Sequence, residues 1–261
     1  MKYTDAHIHL CDTEYEHKTE QVINEAKQAS VVALVSNSMN LETSKKSLRL
    51  AQEHNGFVYA ALGIHPWNTN KLAPNELEQV IELIENAVKA KEIIAVGEIG
   101  TDPQYAKNRQ QKDQQAQVFQ QMLKTAETLQ LPAIIHSRWS APKILETLPS
   151  YKLRGVLWHW FSTPTEILPK ITARGDYVSE GPPTTFSDRT KEVIKLVPLE
   201  NLLTETDGPV HYYDPAFKDR LTTPAFIPRV VKAIAEIKKV KEDEAAEQIH
   251  HNFTTLFGIE P

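Results

Sequence analysis

Cysteine and long apolar runs are both scarce in this chain, and each shortage excludes a class of protein. The 261 residues contain one cysteine, Cys11, so no internal disulfide can form. Because disulfides mark oxidising compartments, we expect a cytoplasmic location. No apolar run approaches the roughly 20 residues that cross a bilayer, and the N-terminal residues lack the apolar core of a signal peptide. We therefore expect neither a membrane protein nor a secreted one.

Positive charge is also in short supply. Lysine and arginine number 29 against 34 aspartate and glutamate residues, which leaves a formal net charge of −5. This balance excludes a broad basic surface of the kind that coats nucleic acid, although a small basic mouth around a site stays compatible with it. No tandem repeat, long linker or low-complexity segment divides the chain. We therefore expect one domain over residues 1–261, and nothing in the sequence indicates an obligate protein partner.

Short apolar runs alternate with longer, charged amphipathic segments along the whole chain. Near-continuous apolar strands are typical of a parallel sheet that is buried on both faces. Eight runs are predicted as strands: Tyr3–His7, Val31–Val35, Phe57–Leu62, Ile93–Val96, Ala133–Ile135, Gly155–Trp158, Asp176–Ser179 and Asn201–Thr204. The spacing of apolar residues predicts helices over residues 18–30, 75–89, 107–130, 223–240 and 242–257. This alternation favours an α/β fold, a (β/α)₈ TIM-type barrel, with a doubly wound sheet as the alternative.

Histidine and acidic side chains recur where the predicted strands end. In a barrel of this type the active site lies at the carboxyl ends of the strands, so side chains at these positions converge. The set comprises His7, His9, His65, Glu98, His136, His159 and Asp207. A single histidine at a strand end is most simply structural. The joint recurrence of imidazole, the commonest side-chain metal ligand, predicts a metal site.

The chemistry of this set constrains the metal. Imidazoles and carboxylates without a thiolate suit Zn²⁺, Mn²⁺, Ni²⁺, Fe or Mg²⁺. Without His65, the set has six candidate ligands, four imidazoles and two carboxylates, which is more than the four of a tetrahedral structural zinc. A two-metal centre with a bridging carboxylate explains the surplus. The predicted arrangement has Glu98 as the bridge, with His7, His9 and Asp207 completing one metal and His136 and His159 the other.

Two carboxylates of the set are the predicted catalytic residues. A two-metal centre lowers the pKa of a bound water, so that hydroxide is available near neutral pH. Glu98 would join the two metals, and Asp207 could accept the proton of that water. Asp5 would share a strand face with His7 and His9 if the strand is regular, and we expect it to orient one of these imidazoles, with a strand-end hydrogen bond as the alternative.

Seven short motifs follow one another through the chain. They are Asp5-Ala6-His7-Ile8-His9, Gly63-Ile64-His65-Pro66, Gly97-Glu98-Ile99-Gly100 with Asp102, Pro132-Ala133-Ile134-Ile135-His136-Ser137-Arg138, His159-Trp160-Phe161-Ser162, Glu205-Thr206-Asp207 and Asn252-Phe253-Thr254-Thr255-Leu256-Phe257-Gly258. In this set and order the sequence resembles the TatD family of metal-dependent hydrolases, usually described as deoxyribonucleases. The resemblance covers nearly the whole chain.

The resemblance implies a TIM-type barrel, one to three divalent ions, and hydrolysis of phosphodiester bonds in DNA, often as an exonuclease. It carries ligand roles onto His7, His9, Glu98, His136, His159 and Asp207, and a substrate-side role onto His65. We accordingly expect two divalent ions per chain, Mg²⁺, Mn²⁺ or Zn²⁺, and a DNA substrate, with single-stranded ends as one form of it.

Residues around the expected mouth bear on the substrate. Arg138 could grip a phosphate, or form a salt bridge to a neighbouring helix. Aromatic side chains that follow strand ends could stack on bases of a single strand or simply pack the loops: Trp67, Trp139, Trp160, Phe161, Tyr212 and Tyr213. The chain departs from the usual family pattern at Thr101, at Thr163 and after Asp207, all within these loops, and the departures bear on substrate preference.

Two other functions stay open. The first is hydrolysis of another bond class, an amide, lactone or aminoacyl ester, on the same centre. Barrels of the amidohydrolase type commonly bridge their metals with a carboxylated lysine after the fourth strand, where this chain has Glu98, which favours the nuclease branch. The second is a non-catalytic binding protein that kept the barrel. The presence of all six predicted metal ligands argues against it.

Overall fold

In the computed structural model, which describes residues 1–261, eight parallel strands form one sheet in sequence order. They are β1 (Tyr3–Ile8), β2 (Val31–Asn37), β3 (Val58–Leu62), β4 (Ile93–Gly100), β5 (Ala133–His136), β6 (Val156–Trp158), β7 (Tyr177–Glu180) and β8 (Leu202–Thr204). After β8 the Asp207 amide donates to the His7 carbonyl at 2.9 Å, and the His9 amide donates to the Gly208 carbonyl at 2.8 Å. These bonds bring the two ends of the sheet together into a nearly closed barrel. The predicted (β/α)₈ barrel is confirmed, and the doubly wound sheet is excluded.

Each strand is followed by at least one helix. The α-helices are α1 (Thr19–Gln28), α2 (Leu41–Glu53), α3 (Glu76–Lys89), α4 (Arg109–Leu129), α5 (Ala141–Thr147), α6 (Leu168–Ala173), α7 (Asp188–Leu196), α8 (Ile227–Lys238) and α9 (Glu242–Phe257). The five predicted helices are α1, α3, α4, α8 and α9, with ends that agree within four residues. None of the helices is both long and apolar enough to cross a membrane. The cytoplasmic location stays a prediction.

α2 shows why some helices escape a search for apolar periodicity. Its buried residues are Ser44, Ser47 and Ala51, two of them polar, so the buried face is not marked by large apolar side chains. Its start is instead marked by a capping box at Asn40 and Thr43. The Asn40 carboxamide oxygen accepts the Thr43 amide at 2.9 Å, and the Thr43 hydroxyl accepts the Asn40 amide at 3.0 Å. These two bonds satisfy amides that the first turn leaves unpaired.

The barrel interior is filled by both small and large apolar residues and is closed at its amino-terminal end. Ala6, Ala33, Ala61 and Ala95 belong to an inner apolar cluster together with Phe253, Leu256 and Phe257 of α9. Gly155 directly precedes β6, and a Cβ at this glycine would lie 2.6 Å from Leu256. The side chains of α9 therefore cover the end of the barrel where the strands begin. The carboxyl end, where the polar residues lie, is left as the accessible one.

Candidate metal centre

The polar side chains predicted at the strand ends lie together around Glu98. This carboxylate is 1% exposed, on β4. Its Oε2 lies 3.4 Å from His7 Nε2 and 3.2 Å from His9 Nε2. Its Oε1 lies within 3.4 Å of three further imidazole nitrogens: His136 Nδ1 at 2.8 Å, His159 Nε2 at 2.9 Å and His65 Nε2 at 3.4 Å. Glu98 is therefore the residue that connects the two sides of the cluster.

The first side of the cluster consists of His7, His9, Asp207 and Glu98 Oε2. The two Nε2 atoms face each other at 3.3 Å, and Asp207 Oδ1 lies 3.5 Å from His7 Nε2 and 3.6 Å from His9 Nε2. Glu98 Oε2 is buried without a hydrogen-bond partner. An unpaired buried oxygen is costly, and several lone pairs that converge on one point suit a divalent cation. The donor set on this side therefore fits a metal ion.

The second side of the cluster brings His65 beside His136. Their Nε2 and Nδ1 atoms are 3.2 Å apart, and both imidazoles approach Glu98 Oε1. Three groups of ligand atoms are compact enough to hold an ion: His7 with His9 and Glu98, His7 with His159 and Asp207, and His65 with Glu98 and His136. The sequence grouped His159 with His136, whereas its ring stacks on that of His7 with centroids 3.8 Å apart. His159 therefore lies between the two sides.

β1 is irregular at the ligand pair. Its pairing with β2 shifts register between Asp5 and Ile8, so the regular alternation expected from Asp5 to His9 is interrupted. The Asp5 carboxylate instead accepts the backbone amide of Thr206 at 3.1 Å, the hydroxyl of Thr206 at 2.5 Å and the backbone amide of His7 at 3.1 Å. The expectation that Asp5 orients an imidazole is therefore wrong. Asp5 ties β1 to the residues that follow β8.

Other groups orient the imidazoles. His9 Nδ1 lies 3.0 Å from the carbonyl oxygen of Asn37, at the end of β2. His159 Nδ1 lies 3.4 Å from Glu205 Oε1, and the hydroxyl of Ser179 donates to the other oxygen of Glu205. A metal-bound imidazole commonly has a partner of this kind on its second nitrogen. The sequence carried a signal for Glu205, because it belongs to the same Glu205-Thr206-Asp207 motif as a predicted ligand.

Asp102 is a second carboxylate that the ligand search did not single out. Its Oδ2 lies 2.9 Å from His136 Nε2 and accepts the Arg138 Nε–H at 2.8 Å. The guanidinium carbon of Arg138 also lies 5.2 Å from the centre of the Tyr105 ring. Arg138, which follows β5, is thus paired with Asp102 and Tyr105 in the loop after β4. The salt bridge to a neighbouring helix, which the sequence left open, is not formed.

Gly100 allows β4 and β5 to approach at the site. Its φ of +155° is a conformation that residues with a Cβ rarely adopt, and a Cβ here would collide with the carbonyl oxygen of His136. Its Cα pairs with that of His136 in the sheet. The glycine therefore sets how closely His136 can lie to Glu98.

Burial and neighbouring groups shift the protonation equilibria in the cluster. Burial would raise the pKa of Glu98, but the imidazoles of His65, His159 and His7 hold it well below its usual value. Burial lowers the pKa of His65 to about 4 and that of His7 well below its usual value. Burial also raises the pKa of Asp207 to about 7. The Glu98 carboxylate and the neutral rings of His7 and His65 therefore offer free lone pairs, as metal ligands must.

Comparison with known proteins places this geometry in a family. The family model described as TatD related DNase matches residues 4–258. The chain is 30% identical over 259 residues to the uncharacterized metal-dependent hydrolase YabD of Bacillus subtilis, covering 98% of each protein. It is 28% identical over 265 residues to the 3'-5' ssDNA/RNA exonuclease TatD of a Pantoea species, covering 98% of this chain and 99% of that one.

A solved structure agrees with these matches. The crystal structure of YjjV, a TatD homologue from Escherichia coli K12, superimposes with a TM-score of 0.90 at 29% identity, covering 99% of this chain and 98% of that one. The likeness thus runs through the barrel from end to end. The expected resemblance is confirmed, and the chain belongs to the TatD family of DNase-related, metal-dependent hydrolases.

Proposed function

We propose that the chain is a nuclease that removes nucleotides from the ends of single-stranded DNA with two divalent ions. One observation carries this proposal: the buried Glu98 carboxylate has imidazole nitrogens within 3.4 Å of both its oxygens. A single bridging carboxylate between two ligand groups is the arrangement of two-metal phosphodiester hydrolysis. The DNA substrate is supported by the description of the family model and by the exonuclease among the relatives.

The proposed ligand sets use Glu98 as the shared residue. The ligands are His7, His9, Asp207 and Glu98 for one ion, and His136, His159 and Glu98 for the other, since both of these imidazoles lie within 2.9 Å of Glu98 Oε1. His65 is proposed to contact the substrate from the second side. Its Nε2 is 3.4 Å from Glu98 Oε1, so it is also within reach of an ion held by Glu98 and His136.

The chain's own residues supply proton transfer and substrate binding. Divalent ions, when bound, lower the pKa of water and neutralise charge on the phosphoryl group. Asp207, which is 8% exposed at the edge of the cluster, accepts the proton of the attacking water. Arg138 is held by Asp102 while its side chain stays 40% exposed, so its guanidinium can bind the phosphate of the substrate.

The test measures shortening of an end-labelled strand. Purified protein is supplied with Mg²⁺, Mn²⁺ or Zn²⁺ and a single-stranded oligonucleotide labelled at one end. We expect progressive shortening that a chelator stops and that Glu98→Ala abolishes, because this change removes the shared ligand. Glu247→Ala, an exposed carboxylate on α9 far from the cluster, is the matched control and should keep full activity.

Several outcomes would contradict this function in different ways. Cleavage that persists in Glu98→Ala, in protein free of contaminating nuclease, would refute the role of Glu98. Cleavage of a circular single strand, which has no end, would refute the exonuclease assignment while keeping a nuclease. Activity confined to amide, lactone or aminoacyl ester substrates would favour the other bond class.

A further inference from the structure

Two aromatic rings and two cations form an ordered stack beside the metal centre. The rings of Trp67 and Tyr105 are parallel within 13°, with centroids 5.3 Å apart. The ammonium of Lys71 lies 5.7 Å from the Trp67 ring, and the Arg138 guanidinium lies 5.2 Å from the Tyr105 ring. We call this series of four side chains, from Lys71 through Trp67 and Tyr105 to Arg138, the rim stack.

The rim stack is connected directly to the cluster around Glu98. The backbone amide of Trp67 donates to His65 Nδ1 at 3.0 Å, and the His65 ring lies edge-on to the Tyr105 ring at 6.3 Å. Arg138, at the other end of the stack, shares Asp102 with His136. A substrate strand whose phosphate lies at the metal centre would therefore have its neighbouring nucleotide beside these rings.

The loops that carry the rim stack are held in place by α4. The carboxamide of Gln115, which is 2% exposed, donates to the carbonyl oxygens of Pro66 at 3.2 Å and Asp102 at 3.0 Å. The Asn70 carboxamide donates to the Tyr105 carbonyl at 2.6 Å. These bonds join the loop after β3 to the loop after β4. The rings are therefore fixed before any ligand binds, which lowers the entropic cost of binding.

Trp67 leaves much of its indole open to solvent. The residue is 49% exposed, and one face of its ring is covered by Tyr105. The ammonium of the exposed Lys71 is near the same ring, at the outer range of a cation–π contact. Of the other aromatics after strand ends, Phe161 and Tyr212 are buried at 1% and 7% exposure, so neither can stack on a ligand.

We infer that the open face of Trp67 binds an unpaired base of a single-stranded nucleic acid, with Lys71 and Arg138 contacting the flanking phosphates. Every base has a π-face, so aromatic stacking binds single strands with little regard to sequence. A duplex keeps its base faces covered by neighbouring pairs, so the site discriminates against it. This inference rests on the proposed nuclease function and adds the feature of the substrate that the rim stack recognises.

The test compares a long and a short phosphodiester substrate. With metal-loaded enzyme, Trp67→Ala should lower kcat/KM for a single-stranded oligonucleotide by about 5- to 150-fold, mainly through KM. A short abasic strand, whose sugars carry neither a base nor any other aromatic ring, offers nothing to stack, so its kcat/KM should change less than about twofold, which also shows that the variant is folded. Trp67→Phe, which keeps a π-face, should recover most of the activity on the oligonucleotide. Leu196→Ala, at a 52% exposed apolar residue where α7 ends, is the matched control.

A binding measurement separates this inference from the proposed function. A phosphorothioate oligonucleotide that resists hydrolysis, with a terminal 2-aminopurine, should lose fluorescence on binding to wild-type enzyme and keep it with Trp67→Ala. Quenching without cleavage of any natural strand would refute the nuclease function and leave the base site standing. Equal losses on both substrates in Trp67→Ala, or a loss on DNA no greater than that of Leu196→Ala, would overturn the base site.

Discussion

Replacing Glu98 by glutamine should remove most of the stability that the protein gains from metal. Glu98 belongs to two of the three groups of ligand atoms, so Glu98→Gln removes a charged ligand from both sides of the cluster while keeping its size. A metal at 100 times its dissociation constant stabilises the folded state by about 2.7 kcal/mol. At roughly 2–4 °C per kcal/mol for a chain of this length, the wild-type protein should gain roughly 5–11 °C in Tm.

The expected residual gain in the variant is small. Groups that only orient metal ligands change affinity by about 10- to 100-fold, so loss of a direct ligand should weaken binding by at least about 100-fold. At the same metal concentration this leaves a stabilisation of about 0.4 kcal/mol, or a gain in Tm of roughly 1–2 °C.

The assay is thermal unfolding of chelator-treated protein with and without added Mn²⁺ or Zn²⁺. The quantity compared is the metal-induced change in Tm, because Glu98→Gln also changes the starting Tm by removing a buried charge. Glu247→Gln, on the exposed face of α9, should show the wild-type gain. A wild-type gain in Glu98→Gln would refute the argument that this carboxylate joins the two sides of the cluster.

Three further changes test other parts of the structure. Glu205→Gln should weaken metal affinity about 10- to 100-fold, because His159 loses its anionic partner. Titration against a competing chelator measures the affinity, and an unchanged value would count against this role of Glu205. Burial raises the folded-state pKa of Glu180 well above its usual value, so the folded state binds this proton more tightly and its stability falls as pH rises above about 4. Glu180→Gln should flatten that fall between pH 5 and 8 in urea unfolding, and an identical slope in both proteins would contradict it. Gly100→Ala should cost at least about 1–3 kcal/mol of stability, because the new Cβ would collide with His136. Gly56 also has a positive φ but has nothing within 4 Å of such a Cβ, so Gly56→Ala should cost less. Equal losses of stability in the two variants would show that backbone strain alone is responsible.

The predicted ligand positions could be listed from the sequence because a parallel barrel collects its strand ends at one place. Glu98 lies on β4, His136 on the neighbouring β5 and His7 on β1. Both imidazoles nevertheless lie within 3.4 Å of the Glu98 carboxylate. Each of these residues directly ends or follows an apolar run. The pattern therefore signals both the strand and the position of the polar side chain on it.

The partners of the imidazoles were harder to predict. His9 is oriented by the backbone carbonyl of Asn37, a group that every residue carries. The role expected of Asp5 was wrong because its carboxylate accepts the backbone amides of Thr206 and His7, in a stretch where the register of β1 shifts. No local pattern of apolar residues marks that shift.

Local patterns in the chain were sufficient for the barrel and for the strand-end residues that gather around Glu98, since period and residue type are properties of neighbouring positions. The tertiary structure alone decided which of those residues lie together. His159 stacks on the His7 ring from the far side of the barrel, at 3.8 Å, and Trp67 meets Tyr105 across two loops that α4 holds together. These distances depend on barrel closure, on strand register and on loop packing. Such features arise from contacts between residues far apart in the chain, and a one-residue change in register can undo them.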